Sequence, residues 1–447
     1  MIDLSSYERA MAALPRDMTH AEVNAERINE ITIKVKCGEI VDSKAFTRTR
    51  LYVRAGAEHT GTVYTEDLDK DAMAVLHQAL ENSRFSNTAA PEPMNEGIGE
   101  SISCQFEDEG VEEMLRFCAA AENAAGSERV TECCVTAISR EMRTLNSLGF
   151  DASSKTRHIA ASLSVNLERR GSYSVEGEAY ISAKSLLLMS AEALAKAAIE
   201  NAESIDGGGL PAIQIPCGKY DVVLSAHVMR NILMTAWQAF SGELIGKGAS
   251  CFKGAGEMVG SRVLTLINAP THPMLGQQWL MDSEGTVVKE TTIVEKGVIV
   301  MPLYTLSSGV AAGQYSTGSA GRTARMTGDL PITLTTVPAL IYFKPEDVAR
   351  AQLISRMNTG LLLTYSLDLF HSINVASGAF SIPCGGVYYE NGRPIGTISQ
   401  MTMVGSLNEL WTNIEAVGSD LGFDDFYLKT YCVGSPSALA RGLIFTS

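Results

Sequence analysis

The sequence is poor in the residues that several common classes of site require. Its seven histidines lie far apart, and no two have the H-x-x-x-H or H-x-x-x-x-H spacing that presents a pair of imidazoles to a metal. Lys and Arg number 36 against 51 Asp and Glu, and the resulting net charge of −15 opposes broad contact with nucleic-acid phosphates. No window holds the roughly 18 consecutive apolar residues of a membrane-spanning helix. The sequence therefore predicts neither a nucleic-acid partner nor a membrane partner.

The nine cysteines lack the patterned spacing of a disulfide framework or a structural zinc site. They form no C-x-x-C pair, and the adjacent Cys133 and Cys134 are poorly placed to bridge each other. The first residues, M-I-D-L, do not begin a basic segment followed by an apolar one, as a signal peptide does. We therefore predict reduced thiols and a cytoplasmic location.

Length and composition predict a globular chain with more than one domain. The 447 residues are 45% hydrophobic and 19% charged, and such a length exceeds one ordinary core. Linkers are predicted at 87–99, which is rich in Pro, Asn, Glu and Gly, and at 206–209, which reads D-G-G-G. They divide the chain into an N-terminal α+β domain at 1–99, a middle α+β segment at 100–209 and a C-terminal β-rich domain at 210–447.

Hydrophobic periodicity predicts the secondary structure of these segments. Apolar residues at helical spacing predict helices at 67–82, 185–203 and 228–240. The successive strand-like segments 159–167 and 173–180 suggest an antiparallel sheet. We therefore predict a multi-domain α+β fold with mostly antiparallel sheets and flanking helices.

Residues 246–322 carry the most distinctive pattern of the chain, because glycine clusters there separate short apolar runs. That arrangement is typical of short strands joined by tight turns. The segment contains, in order, the motifs S-x-x-x-G-x-G-E from Ser250, D-x-E-G-T from Asp282 and S-T-G-x-A-x-R from Ser316. By itself this pattern predicts a β-rich core and names no reaction.

The order of these motifs resembles the C-terminal region of the PmbA/TldE and TldD family, and colinear matches extend over roughly residues 31–420. Members of this family are often labelled modulators of DNA gyrase. The family is known for a cytosolic zinc-dependent peptidase assembly of one TldD-type and one TldE-type chain. The resemblance implies a C-terminal β-rich domain of the PmbA/TldD type and a role in proteolysis or peptide maturation.

The zinc motif of the family's catalytic chains is missing here. Those chains carry an H-E-x-x-x-H helix, in which two imidazoles bind zinc and the glutamate activates the metal-bound water. The corresponding positions in this sequence are Met234, Thr235 and Ala239. His227, near the start of the same predicted helix, lacks a following glutamate and a second histidine at helical spacing. The resemblance therefore implies the TldE/PmbA-like branch, with no catalytic residue, no metal ligand and no cofactor on this chain.

The candidate site residues come from two of the C-terminal motifs. Asp282 and Glu284 alternate, so that in a strand both carboxylates would face one side. They could act as an acid–base pair or hold a cation, or they could shape a turn at Gly285 and pair with Arg322. Arg322 could alternatively bind a peptide carboxylate through two hydrogen bonds. The predicted peptide-binding residues are Asp282, Glu284, Gly285, Thr317, Gly318 and Arg322.

Three hypotheses on function follow. In the leading one the chain is the non-catalytic subunit of a two-chain zinc metallopeptidase assembly, and a TldD-like H-E-x-x-x-H chain and an unfolded peptide are its partners. In the second it is a stand-alone, homodimeric peptide- or protein-binding regulator without hydrolytic activity. The weakest is an autonomous hydrolase that uses Asp282, Glu284 or Ser250.

Overall fold

The structure, a computed structural model, describes residues 1–86, 93–104, 109–168, 174–206, 209–322, 334–368, 370–424 and 431–446. It confirms the predicted multi-domain α+β fold with mostly antiparallel sheets. The strands are β1 His20–Lys36, β2 Glu39–Gly56, β3 Thr60–Thr65, β4 Ser101–Ser103, β5 Val130–Asn146, β6 Asp151–Glu168, β7 Ser174–Ala183, β8 Gly218–Leu224, β9 Leu266–Ala269, β10 Thr291–Glu295, β11 Val298–Ile299, β12 Ala320–Arg322, β13 Leu334–Thr336, β14 Leu340–Phe343, β15 Gly360–Ser366, β16 Ala379–Glu390, β17 Arg393–Ser406, β18 Ile414–Val417, β19 Gly422–Asp424, β20 Cys432–Ser435 and β21 Ala438–Thr446.

The helices cluster on one side of the N-terminal sheet and within the C-terminal domain. They are α1 Ser5–Met11, α2 Ala72–Ser83, α3 Val111–Ala125, α4 Ala191–Asp206, α5 Ala226–Ala236, α6 Gly242–Gly246, α7 Leu306–Ala312, α8 Arg350–Met357 and α9 Leu407–Thr412. Short 3₁₀ turns occur at Ser127–Arg129, Leu186–Leu188 and Trp237–Phe240. Among the described residues, no helix is both long and apolar enough to cross a bilayer.

The N-terminal half is built on one seven-stranded sheet with the order β3-β2-β1-β5-β6-β4, in which β7 also pairs with β6. The odd-numbered residues of β1 face the helices, because side chains alternate along a strand. Near the start of β1, Val23 packs with residues of α1 and α2, and near its end Ile33 packs with residues of α3 and α4. The segments predicted at 1–99 and 100–209 therefore share a sheet, and each of the two hydrophobic clusters on it contains residues of both segments.

The C-terminal domain contains two six-stranded sheets. One has the order β17-β16-β15-β8-β21-β18 and the other the order β11-β10-β9-β14-β20-β19. Helix α5 lies between them, in contact with β15 and β20, and its apolar side chains join both sheets into one core. The pairs β8–β15 and β14–β20 are parallel, which the sequence analysis did not predict.

Capping residues explain why the helices begin at other residues than those predicted. The helix predicted at 67–82 begins at Ala72, because the Asp71 carboxylate accepts a hydrogen bond from Ala74 N at 2.7 Å. The helix predicted at 185–203 begins at Ala191, after a separate 3₁₀ turn. The helix predicted at 228–240 begins at Ala226 after the cap Ser225, and its last turn is 3₁₀.

Candidate functional site

Asp282 organises the turn at residues 282–286. Its Oδ1 accepts hydrogen bonds from the backbone N–H groups of Glu284 and Thr286, each at 2.9 Å. The chain reverses at Gly285, whose φ of +81° lies in the left-handed region that favours glycine. An aspartate that accepts from its own backbone two and four residues on is a common device for fixing a turn. The carboxylate therefore holds the local backbone.

The same carboxylate joins this turn to the second predicted segment. Asp282 Oδ2 accepts from Ala320 N at 3.0 Å, and Ser283 N donates to Ala320 O at 2.9 Å. Thr317 contributes differently, since its hydroxyl oxygen accepts from Tyr304 N at 2.8 Å. Gly318 has a φ of +69°, and a Cβ added to it would lie 2.9 Å from the Cα of Val288. The structure thus brings the two predicted motifs together, mainly through backbone hydrogen bonds.

Glu284 has no exposed surface and links the turn to α7. Its Oε2 accepts from Leu306 N, the first residue of α7, at 2.8 Å, and no described residue hydrogen-bonds its Oε1. Its backbone carbonyl accepts from the Asn95 side-chain amide at 2.8 Å. Glu284 therefore connects two elements of the C-terminal domain with the loop that precedes β4.

The N-terminal sheet contributes charged residues that the sequence analysis missed. Glu22 of β1 and Arg54 of β2 form a buried ion pair at 2.7 Å, and the Arg322 guanidinium lies 4.5 Å from the centroid of the Tyr52 ring. These side chains point to the face opposite the helices. A signal was present in the sequence, because glutamates alternate with other residues in β1, as arginines do in β2. Alternation predicts one shared face, but it does not identify what covers that face.

We define the junction cluster as Glu22, Arg54, Asp282, Glu284 and Arg322. It contains three carboxylates and two guanidinium groups at the boundary between the N-terminal sheet and the C-terminal domain. The fit between the two sides is close, because a Cβ on Gly285 would lie 2.7 Å from Phe150 Cε1. Both halves of the chain therefore contribute side chains to the junction cluster.

Burial dominates the electrostatics of the junction cluster. It raises the pKa of Asp282, although three backbone N–H donors act in the opposite direction. Burial also raises the pKa of Glu284, the nearby Asp282 charge raises it further, and Arg54 lowers it. The pKa of Arg322 falls to about 10 because of burial and the neighbouring Arg54. Burial in the cluster therefore favours a proton on Asp282 and on Glu284 compared with the same groups in water.

A narrow cleft of about 40 Å³ opens beside the junction cluster. It is lined by Arg140 and Met142 of β5 and, on the opposite side, by Asp282, Gly318 and Arg322. A volume of this size holds a few water molecules at about 10–15 Å³ each. Three of the six predicted peptide-binding residues reach this cleft, and peptide binding by the six stays a prediction.

The positions that correspond to the zinc motif lie in the apolar core of the C-terminal domain. Met234, Thr235 and Ala239 are 3%, 4% and 0% exposed, and Tyr431 donates a hydrogen bond to the Met234 carbonyl oxygen at 3.2 Å. A thioether, a hydroxyl and a methyl group do not supply the imidazole and carboxylate ligands that zinc takes in peptidases. Across the described ranges, no three His, Cys, Asp or Glu side chains are grouped to hold a metal. The residues present do not fit zinc.

Ser250, from the hydrolase hypothesis, and His227, at the start of the helix that corresponds to the zinc motif, both have structural contacts. The Ser250 hydroxyl donates to Ala239 O at 2.7 Å and accepts from Phe252 N at 3.1 Å. His227 contacts the Asn231 side-chain amide at 3.1 Å. Desolvation, together with the nearby Arg230, lowers the pKa of His227 to about 4, so that its imidazole is neutral at pH 7. These contacts account for both residues without a catalytic role.

Two family models cover most of the chain. The PmbA/TldA metallopeptidase C-terminal domain matches residues 217–447, and the central domain of the same family matches residues 104–204. A curated relative, a metalloprotease of Methanothermobacter thermautotrophicus, is 28% identical over 214 residues. That match spans 47% of this chain and 45% of the relative, which is less than half of the relative's length.

Solved structures share the whole fold. A protein from Thermotoga maritima described as a modulator of a DNA gyrase has a TM-score of 0.81 and 20% identity, and the match covers 99% of this chain and 100% of that one. TldE from Thermococcus kodakarensis has a TM-score of 0.79 and 16% identity at the same coverage. At these identities the likeness concerns the fold, and the family models carry the assignment. The predicted resemblance is confirmed, and the chain belongs to the PmbA/TldD metallopeptidase family.

Proposed function

We propose that this chain is the TldE/PmbA-like, non-catalytic subunit of a cytosolic two-chain zinc metallopeptidase assembly that processes or degrades unfolded peptides. The observation that carries the proposal is the burial of Met234, Thr235 and Ala239 in an apolar core, at the positions of the family's zinc motif. A single substitution would not restore such a motif, because all three positions differ from it. In this proposal a TldD-like partner supplies the zinc ligands and the water-activating glutamate.

This chain would then contribute part of the chamber that holds the peptide. An unfolded peptide can be held as an added strand, since its backbone hydrogen bonds do not depend on sequence. Of the six predicted residues, Gly318 and Arg322 line the cleft and are the candidate contacts, and the Arg322 guanidinium suits a peptide carboxylate. Asp282 and Glu284 hold the backbone of this surface in place through the hydrogen bonds from backbone N–H groups described above.

The proposal is tested first by metal content. The purified, untagged chain is equilibrated with zinc and desalted, and its zinc is measured by elemental mass spectrometry. We expect a value near zero per chain. A value near one per chain, together with hydrolysis of an unstructured fluorescent peptide by the chain alone, would overturn the proposal.

Activity is then measured with a family chain that carries H-E-x-x-x-H. We expect hydrolysis of the same peptide only when both chains are present, and loss of hydrolysis when the partner's motif glutamate is replaced by glutamine. Met234→Leu in this chain is the matched control, since a volume-conserving substitution in the core leaves the fold intact. If the chain binds the peptide but forms no complex with such a partner, the stand-alone binding function replaces the two-chain one.

A further inference from the structure

The cleft beside the junction cluster has a cation on each of two sides. Arg140 projects from β5, and Arg322 lies over the ring of Tyr52 of β2. Strand β1 runs between β2 and β5, so at about 4.8 Å between neighbouring strands the two arginines stand above strands that are roughly 10 Å apart. Both arginines line the same cleft of about 40 Å³. Positive charge therefore flanks the cleft.

The charges around the cleft do not balance. The Glu26 carboxylate of β1 accepts from Arg140 Nε and also lies 3.6 Å from Arg50 Nη1, so one carboxylate faces two guanidinium groups. Arg322 adds a third cation, and the buried ion pair of the junction cluster neutralises itself. A chain with a net charge of −15 thus has a local excess of positive charge at this cleft. Such an excess favours an anionic ligand.

The remainder of the lining does not oppose an anion. Asp282 also lines the cleft, but both of its carboxyl oxygens accept hydrogen bonds from backbone N–H groups, and burial raises its pKa, which favours the neutral form. Met142, Met281 and Val337 form apolar walls. Attraction between opposite charges is stronger beside such walls than in bulk water.

The volume of the cleft limits which anion can enter it. About 40 Å³ accommodates about three atoms of the size of a water oxygen, at about 10–15 Å³ each. A carboxylate has three heavy atoms in one plane and matches the fork of N–H groups on a guanidinium. A phosphate group has five heavy atoms in a tetrahedral arrangement and needs more room. The cleft therefore suits a carboxylate.

We propose that this cleft binds the terminal carboxylate of a peptide, through Arg140 of the N-terminal sheet and Arg322 of the C-terminal domain. The inference rests on the proposed function, because it takes a peptide as the ligand. Every linear peptide with a free carboxy terminus has this group whatever its sequence, whereas Asp and Glu side chains occur only in some sequences. Charge would then hold the end of the peptide, as backbone hydrogen bonds hold its middle, and neither contact depends on sequence.

The test measures peptide binding to the full chain by fluorescence anisotropy. The probes are three forms of one unstructured, N-terminally labelled peptide: a free carboxy terminus, a C-terminal amide, and a C-terminal amide with glutamate as the residue before last. We expect the free acid to bind at least about tenfold more tightly than either amide, because it alone has a carboxylate at the chain end. Equal binding of the free acid and the plain amide, or no binding of either, would overturn the proposal. Tight binding of the glutamate amide would assign the cleft to side-chain carboxylates, and terminal recognition would be wrong.

Arg140→Gln tests the site most directly. The Arg140 side chain is 32% exposed and Arg50 stays beside Glu26, so the fold should be intact. Binding of the free acid should weaken about tenfold, to the level of the amide, and binding of the amide should not change. Arg322→Gln should have the same effect, and if circular dichroism shows that this variant is unfolded, Arg140→Gln decides alone. Arg116→Gln, on the exposed surface of α3 at the other face of the sheet, is the control and should change neither affinity.

An equal loss of affinity for the free acid and the amide in Arg140→Gln would mean that the arginine acts through the fold, and would overturn the proposal. Failure of this inference is distinguishable from failure of the proposed function. If this chain and an H-E-x-x-x-H chain together hydrolyse the free acid and the amide at equal rates, the two-chain function stands and terminal recognition is wrong. If the free acid binds selectively but the two chains together hydrolyse neither peptide, the cleft is assigned and the two-chain function is wrong.

Discussion

Two buried regions of this protein are built in opposite ways. At the positions that the sequence resemblance assigns to the zinc motif, helix α5 presents Met234 and its neighbours to an apolar core. At the boundary between the N-terminal sheet and the C-terminal domain, the junction cluster instead holds five ionisable side chains, of which four are buried and Arg322 is half-buried. The first region is held by apolar packing, and the second is held by an ion pair and by hydrogen bonds from backbone N–H groups to its carboxyl groups.

This difference shows where the fold can hold buried ionisable side chains. A buried charge costs free energy unless it is paired or hydrogen-bonded, so it persists only where its partners are fixed. Both sides of the junction supply those partners: Arg54 comes from the sheet, and the N–H of Leu306 comes from the C-terminal domain. The cluster therefore links the two halves through fixed partners, whereas the core around α5 should tolerate only apolar substitutions that conserve its volume.

The largest expected effect comes from removing Arg54, the cation of the buried ion pair in the junction cluster. Arg54→Ala should lower the free energy of unfolding by about 3–5 kcal/mol, because Glu22 would stay buried without its partner. The measurement is urea denaturation at pH 7. Lys34→Ala, which removes a half-exposed pair with Glu132, is the matched control and should cost about 0–1 kcal/mol. Equal losses for the two variants would mean that the junction cluster is not energetically distinct.

The core around α5 should respond to lost volume. Met234→Ala should lower the free energy of unfolding by about 3 kcal/mol, since it leaves a cavity among buried side chains. Met258→Ala, at a position that is 53% exposed, should change it by less than about 0.5 kcal/mol. If Met234→Ala is as mild as Met258→Ala, the site at α5 is not the packed core described here.

Two glycine-to-alanine substitutions test the close contact between Gly285 and Phe150 at the junction. Gly285→Ala should cost about 2–3 kcal/mol, because the new Cβ meets the Phe150 ring and the backbone has a positive φ. Gly313→Ala has a similar φ of +64° but nothing within 4 Å of the new Cβ, and should cost about 1 kcal/mol. The difference between the two denaturation curves isolates the contact between the halves.

The smallest effect is a pH dependence from Glu284. Its pKa is raised above the ordinary 4.5, so its stabilising contribution is full below that value and is lost as the pH rises through the folded-state pKa. Native protein and Glu284→Gln should be similar in stability near pH 4.5, and the native protein should be less stable by about 2 kcal/mol well above the raised pKa. Urea denaturation across this range gives the difference. A constant difference at every pH would contradict the raised pKa.

Much of the fold followed from local patterns, and the junction cluster did not. Periodicity predicted strands within β6 and β7 and the helix at α5, because the spacing of apolar residues can be read from a few neighbouring positions. The motifs at Asp282 and Thr317 were found for the same reason, and they meet in the structure. Glu22 and Arg54 were missed because their role depends on a contact with residues more than two hundred positions away. No pattern within one strand contains that information.

The pairing of β1 has a consequence for the order in which the chain can fold. Strand β1 lies between β2, which follows it at once, and β5, where Asn146 lies opposite Glu22. During synthesis the β1–β2 hairpin can form early, but the other edge of β1 stays open until residues 130–146 have left the ribosome. Contacts between distant segments also form slowly, so the nascent chain passes through a period in which β1 can pair with foreign strands. Chaperone binding during that interval would protect it.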